Sequence, residues 1–124
     1  MIDDVVNITQ TLMKFKTVEN RYKEIMKAVD FINKYAAQNG LYFEKIDNGN
    51  HPIIVVSNGC KRKFDIISLG HIDVVPASNE SQYIPKIDGN LLKGRGSFDM
   101  KTGVAIGLEL LRWVKRMNLD VNMG

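Results

Sequence analysis

The first forty residues place apolar side chains at the helical period. Between residues 3 and 15, one apolar face is formed by Val5, Ile8, Leu12 and Phe15. A second stripe runs from residue 20 to residue 38 and comprises Tyr22, Ile25, Met26, Val29, Ile32 and Ala36. Asn39-Gly40 follows it as a helix stop. The pattern therefore predicts two amphipathic helices.

After residue 40 the apolar period changes to that of strands. Short runs rich in β-branched and aromatic residues follow one another as LYFEKI, IIVVSN and FDIISLG. Asparagine and glycine separate them, which is typical of turns. We predict a hairpin over residues 41–57 and a third strand over residues 64–69. Because IISL is apolar without alternation, it predicts a central strand that is covered on both faces.

The last third of the chain returns to the helical period. Residues 77–93 read as loop and short strand, with a turn at 87–90. Residues 100–117 predict a helix, which is small on one side at Gly103, Ala105 and Gly107. The predicted order is αα-βββ-loop-α with a mixed sheet, so the fold class is α/β.

Length, charge and cysteine use narrow the class of protein. A chain of 124 residues fits one domain, and its net charge of +3 is mild. The only basic cluster, CKRK at 60–63, is too small for a nucleic-acid footprint, so we expect no nucleic-acid partner. Cys60 is the single cysteine and has no partner for an intrachain disulfide. With no signal peptide and no long apolar run, we expect a cytoplasmic protein without a membrane partner.

His71 and Asp73 follow directly on the predicted third strand. In open α/β sheets, ligands bind beyond the carboxyl ends of the strands. Residues i and i+2 of an extended chain face the same side, so Asp73 can reach a ring nitrogen of His71. A carboxylate in this position often fixes the tautomer of a metal-binding histidine. Taken alone, the pair fits a hydrogen-bonded strand end better than a metal site. His51 is expected to be structural or at the surface.

Asp99 stands in a glycine-rich stretch directly before the predicted third helix. An aspartate there is either an N-cap or a metal ligand held on a rigid turn, and the N-cap is the simpler interpretation. Lys101-Thr102-Gly103 does not complete a phosphate-binding loop, because Met100 stands where that motif needs glycine. The chain also lacks the S-x-x-K that accompanies K-T-G in serine β-lactamases.

Taken together, GHIDVVPA and DGNLLKGRGSFDMKTGVA resemble one family of proteins. This is the two-metal superfamily of aminoacylase, carboxypeptidase G, succinyl-diaminopimelate desuccinylase and acetylornithine deacetylase. The resemblance covers essentially all 124 residues. It implies a three-layer-type zinc peptidase catalytic domain, of which residues 1–124 are the N-terminal part. It also implies that the rest of that domain and the lid or dimerisation domain lie outside this chain.

The resemblance assigns roles to three residues. His71 matches the first metal ligand, Asp73 the catalytic aspartate that orients it, and Asp99 the carboxylate that bridges two metal ions. The family's peptide bond after that carboxylate is typically cis, here Asp99–Met100. The implied cofactors are two divalent ions, zinc first, with cobalt or manganese as alternatives. The remaining ligands and the general-base glutamate are not among these residues, so the ligand set is incomplete.

The implied activity is metal-dependent hydrolysis of an amide or peptide bond in a small substrate that carries a carboxylate. A deacylase or a dipeptidase acts in this way. We expect that activity of the full-length parent, with the amide or dipeptide as its partner, and we expect the isolated chain to be inactive. The alternative is a non-catalytic module that self-associates into a homo-oligomer through an exposed sheet edge.

Overall fold

A computed structural model describes residues 1–60 and 63–124 of the chain. Lys61 and Arg62, at the centre of the basic CKRK cluster, lie outside the described residues. The helices are α1 (Ile2–Lys14), α2 (Tyr22–Gln38) and α3 (Lys101–Arg116), and the strands are β1 (Tyr42–Ile46), β2 (Ile53–Ser57), β3 (Lys86–Asp88) and β4 (Leu91–Lys93). Two compact units form, one from Met1–Ala28 with Gly70–Ile106 and one from Val29–Leu69 with Gly107–Gly124.

All three predicted helices are confirmed, with ends that differ by one or two residues from the expected ones. The hairpin predicted over residues 41–57 is also confirmed, since β1 and β2 pair antiparallel with Tyr42 opposite Ser57 and Ile46 opposite Ile53. The turn at residues 87–90 joins β3 to β4. Within the described part of the chain, none of the helices combines the length and the apolar content needed to cross a membrane.

The unit of Val29–Leu69 and Gly107–Gly124 has its own apolar core. Its buried side chains are Ala36, Leu41, Leu111, Val114 and Met123. Asn58 extends the pairing beyond β2: its backbone N–H donates to the Met123 carbonyl, and its side-chain oxygen accepts from the Met123 N–H at 3.0 Å. The α/β class is confirmed, because helices and short strands share one core in this unit.

The prediction of a third strand over residues 64–69 is wrong as a strand assignment. Only a parallel bridge forms there, between Ile66 and Met123. The prediction that this segment is covered on both faces is also wrong, because Ile67 is 61% and Leu69 86% exposed. Residues 65–68 hydrogen-bond with residues 122–124, but only one bridge forms between them, and a regular strand needs a run of consecutive bridges.

The unit of Met1–Ala28 and Gly70–Ile106 is organised around the end of α1. Val18, Val74 and Tyr83 form its small buried cluster. The Tyr83 hydroxyl accepts a hydrogen bond from the Ala77 N–H at 3.0 Å. A short 3-10 helix, Glu80–Tyr83, begins at Asn79, whose side chain accepts from the Ser81 N–H. The loop after α1 is therefore packed against residues 74–83.

Lys101, at the start of α3, is fully buried in the same unit. Its ammonium donates to the carbonyl oxygens of Leu12 at 2.9 Å and Phe15 at 2.8 Å. Burial lowers the pKa of Lys101 from 10.5 to about 8, while the charges of Asp73 and Glu24 raise it. The lysine therefore stays mostly protonated at neutral pH and can serve both carbonyls.

Gly96 lets the stem of Lys101 pass. Its φ is +85°, and a Cβ at this position would lie 2.9 Å from Lys101 Cδ and 3.1 Å from Val74 Cγ1. Since the ammonium is tied to two backbone carbonyls, the lysine stem has little freedom to move aside. Glycine is thus required here for both its φ and its lack of a side chain.

We predict that Gly96→Ala destabilises the chain more than Gly89→Ala does. Gly89 also has a positive φ, of +56°, but its Cβ would meet no atom within 4 Å. The Gly89 change should cost about 1 kcal/mol, for φ alone. The Gly96 change should cost about 1–3 kcal/mol more, for the steric clash. Urea denaturation of both variants measures the difference, and equal free energies of unfolding would contradict the argument.

Candidate functional site

The backbone around His71 is fixed by Thr17. The Thr17 hydroxyl donates to the carbonyl oxygen of Ile72, and the Val74 N–H donates to the Thr17 carbonyl at 3.0 Å. These two bonds hold the chain extended on either side of Asp73. His71 and Asp73 consequently face the same side, as their i, i+2 spacing predicts.

The glycine-rich loop brings Asp99 to the start of α3. The Lys101 N–H donates to the Gly96 carbonyl at 3.0 Å, which closes the loop. The Met100 carbonyl accepts from the Val104 N–H at 3.1 Å, so Met100 rather than Asp99 occupies the N-cap position. The N-cap interpretation of Asp99 is therefore wrong. The Asp99–Met100 peptide is cis, as the resemblance implied.

The structure brings the three predicted site residues together at the His71 ring. The ring Nδ1 lies 3.3 Å from Oδ1 of Asp73 and 3.2 Å from the Asp73 carbonyl oxygen. The ring Nε2 lies 3.1 Å from Oδ1 of Asp99. All three side chains are solvent-accessible, with exposed fractions of 46% for His71, 70% for Asp73 and 77% for Asp99. A ligand can therefore approach the site from solvent.

The donor chemistry of the site fits a divalent cation beside Nε2. Every ring partner among the described residues is an oxygen atom, and a hydrogen on Nδ1 would be donated to Asp73. Two lone-pair donors, Nε2 and the Asp99 carboxylate, then face each other at 3.1 Å. Two ligands of one zinc ion, each bound at about 2.0–2.2 Å, lie about 3–3.5 Å apart. The alternative to a metal site is a ring that carries hydrogens on both nitrogens and donates to both carboxylates. Titration with a metal ion distinguishes the two arrangements.

Asp73 and Asp99 lie at opposite nitrogens of the ring, so they do not converge on one point. Among residues 1–60 and 63–124, no group of three or more His, Cys, Asp or Glu side chains is arranged to hold a metal ion. One histidine nitrogen and one aspartate oxygen therefore lie close enough to share a single cation. Asp73 lies at the other ring nitrogen, where it could orient the histidine.

Two residues that support the site were missed from the sequence. Lys101 was considered only as part of a phosphate-loop motif and of the K-T-G motif of serine β-lactamases, although it shares a helical face with the buried Ala105, Leu108 and Leu111. That period was a readable signal for its burial. Thr17 gave no signal, because its partners are 55 and more residues away along the chain. His51 and Cys60 are both exposed.

Comparison with solved structures defines the fold. Human carnosine dipeptidase 1 superposes with a TM-score of 0.77 at 17% identity, over 98% of this chain and 30% of that one. The dipeptidase Dug1p from Saccharomyces cerevisiae gives 0.79 at 18% identity, over 98% of this chain and 31% of its own. The fold is therefore that of the N-terminal portion of these peptidase domains.

The sequence comparisons identify the family. Residues 67–123, which include His71, Asp73 and Asp99, match the model of peptidase family M20/M25/M40. Succinyl-diaminopimelate desuccinylase from Wolbachia sp. subsp. Brugia malayi (strain TRS) is 30% identical over 110 residues, which are 82% of this chain and 27% of that protein. The enzyme of the same name from Wolbachia pipientis subsp. Culex pipiens (strain wPip) is 27% identical over 107 residues, 82% of this chain and 26% of that protein. The chain belongs to the M20 superfamily, and it spans about a quarter of the length of these relatives.

We predict that zinc binding by the chain depends on His71 and, less strongly, on Asp73. His71→Ala removes a ligand and should abolish binding. Asp73→Asn removes the carboxylate that orients the ring, and a change of this kind typically costs about 10–100-fold in metal affinity. Isothermal titration with zinc measures both effects. His51→Ala is the matched control, and a loss of binding in that variant would contradict the assignment.

Proposed function

We propose that this chain belongs to a metal-dependent hydrolase that cleaves an amide or peptide bond in a small substrate carrying a carboxylate. The observation that carries the proposal is the His71 ring, held between Asp73 on one nitrogen and Asp99 on the other. The names of the relatives, desuccinylases and dipeptidases, support amide hydrolysis of small substrates.

Each of the three residues has a distinct part in this proposal. His71 would hold the cation through Nε2, and Asp99 would hold it through its carboxylate, the group that the resemblance implies is shared with a second ion. Asp73 holds the proton on Nδ1, so that the lone pair of Nε2 stays available. A bound divalent ion polarises the scissile carbonyl and lowers the pKa of a water molecule. We propose zinc first, because a histidine and a carboxylate suit it, and cobalt or manganese suit the same donors.

The same geometry supports weak metal binding by the 124-residue chain. A catalytic zinc site commonly takes about three protein ligands. The described residues bring two to one point, His71 and Asp99. Hydrolysis also needs a general acid or base that carries a proton to the leaving amine. None of the three described site residues is left for that role, because each of them would hold the cation or orient the histidine that holds it. We therefore propose that the 124-residue chain by itself does not hydrolyse substrate.

The test expresses the complete reading frame beside the 124-residue chain. With zinc, cobalt or manganese added, the complete product should hydrolyse N-acyl amino acids or dipeptides. His71→Ala and Asp99→Asn should reduce its rate to background, and His51→Ala should leave the rate unchanged. The 124-residue chain should show no activity. Hydrolysis by that chain, lost in His71→Ala, would overturn the proposal of inactivity, and an inactive complete product would overturn the proposed function.

A second candidate function, self-association as a non-catalytic module, is favoured by the exposure of one segment. Residues 65–68 bond along one side to residues 122–124, through Asp65 N–H to the Asn122 carbonyl and Ser68 N–H to the Gly124 carbonyl, both at 2.8 Å. Ile66, Ile67 and Leu69 are 51%, 61% and 86% exposed. Extended, exposed apolar segments of this kind tend to pair with other chains.

We predict that any homo-oligomer of the chain dissociates when this segment is made charged. Light scattering measures the oligomeric state of the wild type, of Ile67→Lys and of Ile46→Lys. Ile46 is an exposed strand residue of the hairpin and serves as the control, with 43% of its surface accessible. A dimer that Ile67→Lys converts to monomer supports this candidate. A monomeric wild type, or a dimer that persists in Ile67→Lys, counts against it.

A further inference from the structure

The segment that ends α1, residues 12–17, contacts both halves of the candidate site. On the side of His71, Thr17 is the contact residue. Its hydroxyl donates to the carbonyl of Ile72, the residue between His71 and Asp73, and its own carbonyl accepts from the N–H of Val74. Thr17 is completely buried. The peptide groups on both sides of Asp73 are therefore tied to one threonine.

On the side of Asp99, the contact residue is Lys101. Its ammonium donates to the carbonyls of Leu12 and Phe15, at 2.9 and 2.8 Å. Lys101 follows Asp99 by two residues, and its own N–H closes the glycine loop on Gly96. The Asp99 turn is therefore tied to the same end of α1 as the His71 segment.

The end of a helix is chemically suited to binding the ammonium of Lys101. The last four carbonyls of a helix have no partner within it, and the partial negative charge there favours a cation. Lys101 supplies hydrogen bonds and positive charge together. A buried threonine hydroxyl likewise needs a partner, and the Ile72 carbonyl provides one. Both bonds would form in the absence of any metal.

We propose that residues 12–17 position the candidate metal site, with Thr17 as the positioning residue for His71 and Lys101 as the positioning residue for Asp99. The role rests on the proposed function, since it concerns the same site. The 3.1 Å separation of His71 Nε2 and Asp99 Oδ1 is then set by one short segment that carries no ligand itself. Loss of the Thr17 hydroxyl should let residues 71–73 shift relative to Asp99.

Thr9 provides the matched control. It is also completely buried on α1, and its hydroxyl donates to the Val5 carbonyl at 2.7 Å within the helix. Thr9→Val and Thr17→Val each replace a completely buried hydroxyl with a methyl group. A purely structural role predicts similar effects of the two changes on stability and none on the histidine ring.

The readout is the imidazole of His71 in nitrogen-15 NMR at fixed pH. The chain has two histidines, so His51 is an internal reference. Thr17→Val should move the ring signals of His71 and leave those of His51 in place. It should also weaken zinc binding about tenfold, as loss of outer-sphere support typically does. Thr17→Ser keeps the hydroxyl and should restore both, while Thr9→Val should change neither.

Two results would overturn the positioning role. The first is a Thr17→Val variant that melts at a lower temperature than wild type but keeps the His71 signals unchanged. The second result is used if Thr17→Val does not fold, and it is measured on the wild type. Zinc should slow hydrogen exchange of the Val74 N–H, and an unchanged exchange rate would refute the coupling between Thr17 and the metal site. The two proposals can also fail separately. If the wild type binds no zinc but Thr17→Val still moves the His71 signals, the proposed function is refuted and the positioning of His71 remains supported.

Discussion

The contact on which the Met1–Ala28 and Gly70–Ile106 unit depends is the ammonium of Lys101 at the end of α1. A buried charge without partners costs several kcal/mol, and this one has two carbonyl acceptors, Leu12 and Phe15. Hydrogen bonds that involve a charged group contribute about 1.5–3 kcal/mol each, which offsets much of that cost. Because the lysine stem needs room, the loop before it must pass without a side chain at Gly96. One electrostatic contact therefore dictates the shape of the loop that carries Asp99.

The site itself lies outside this buried network, and that division has a chemical reason. A side chain that binds a cation must be reachable from solvent, and His71 and Asp99 are both exposed. The two carboxylates flank the ring, and the one beside Nε2 would favour a cation at that nitrogen. The buried residues of these segments form hydrogen bonds and packing contacts, and the exposed ones face solvent. Stability and the proposed binding of a cation are therefore assigned to different side chains of the same short segments.

The sequence predicted most of the elements and the contact between His71 and Asp73, and failed where pairing over long distances decides. Helical periods located α1, α2 and α3, because burial of one face leaves a local pattern. The i, i+2 spacing of His71 and Asp73 predicted their contact for the same local reason. The strand predicted at residues 64–69 failed, since β-branched composition cannot show whether a partner lies alongside. The role of Thr17 could not be predicted from the sequence, because a buried hydroxyl is recognised only through its hydrogen-bond partner. That partner, the Ile72 carbonyl, is 55 residues away along the chain.

The two dipeptidase structures share 17% and 18% identity with the chain, yet the backbones superpose over 98% of it. Few side chains can be common to all three, so the backbone path must rest on a small number of constraints. In this chain the visible constraints are of that kind: a glycine at positive φ, a lysine on helix-end carbonyls and a threonine on one peptide group. Such contacts use backbone atoms as partners, and backbone atoms survive substitution. Substitutions at Leu12, Phe15 or Ile72 would leave these carbonyl partners in place, whereas substitutions at Lys101 or Thr17 would remove the contacts themselves.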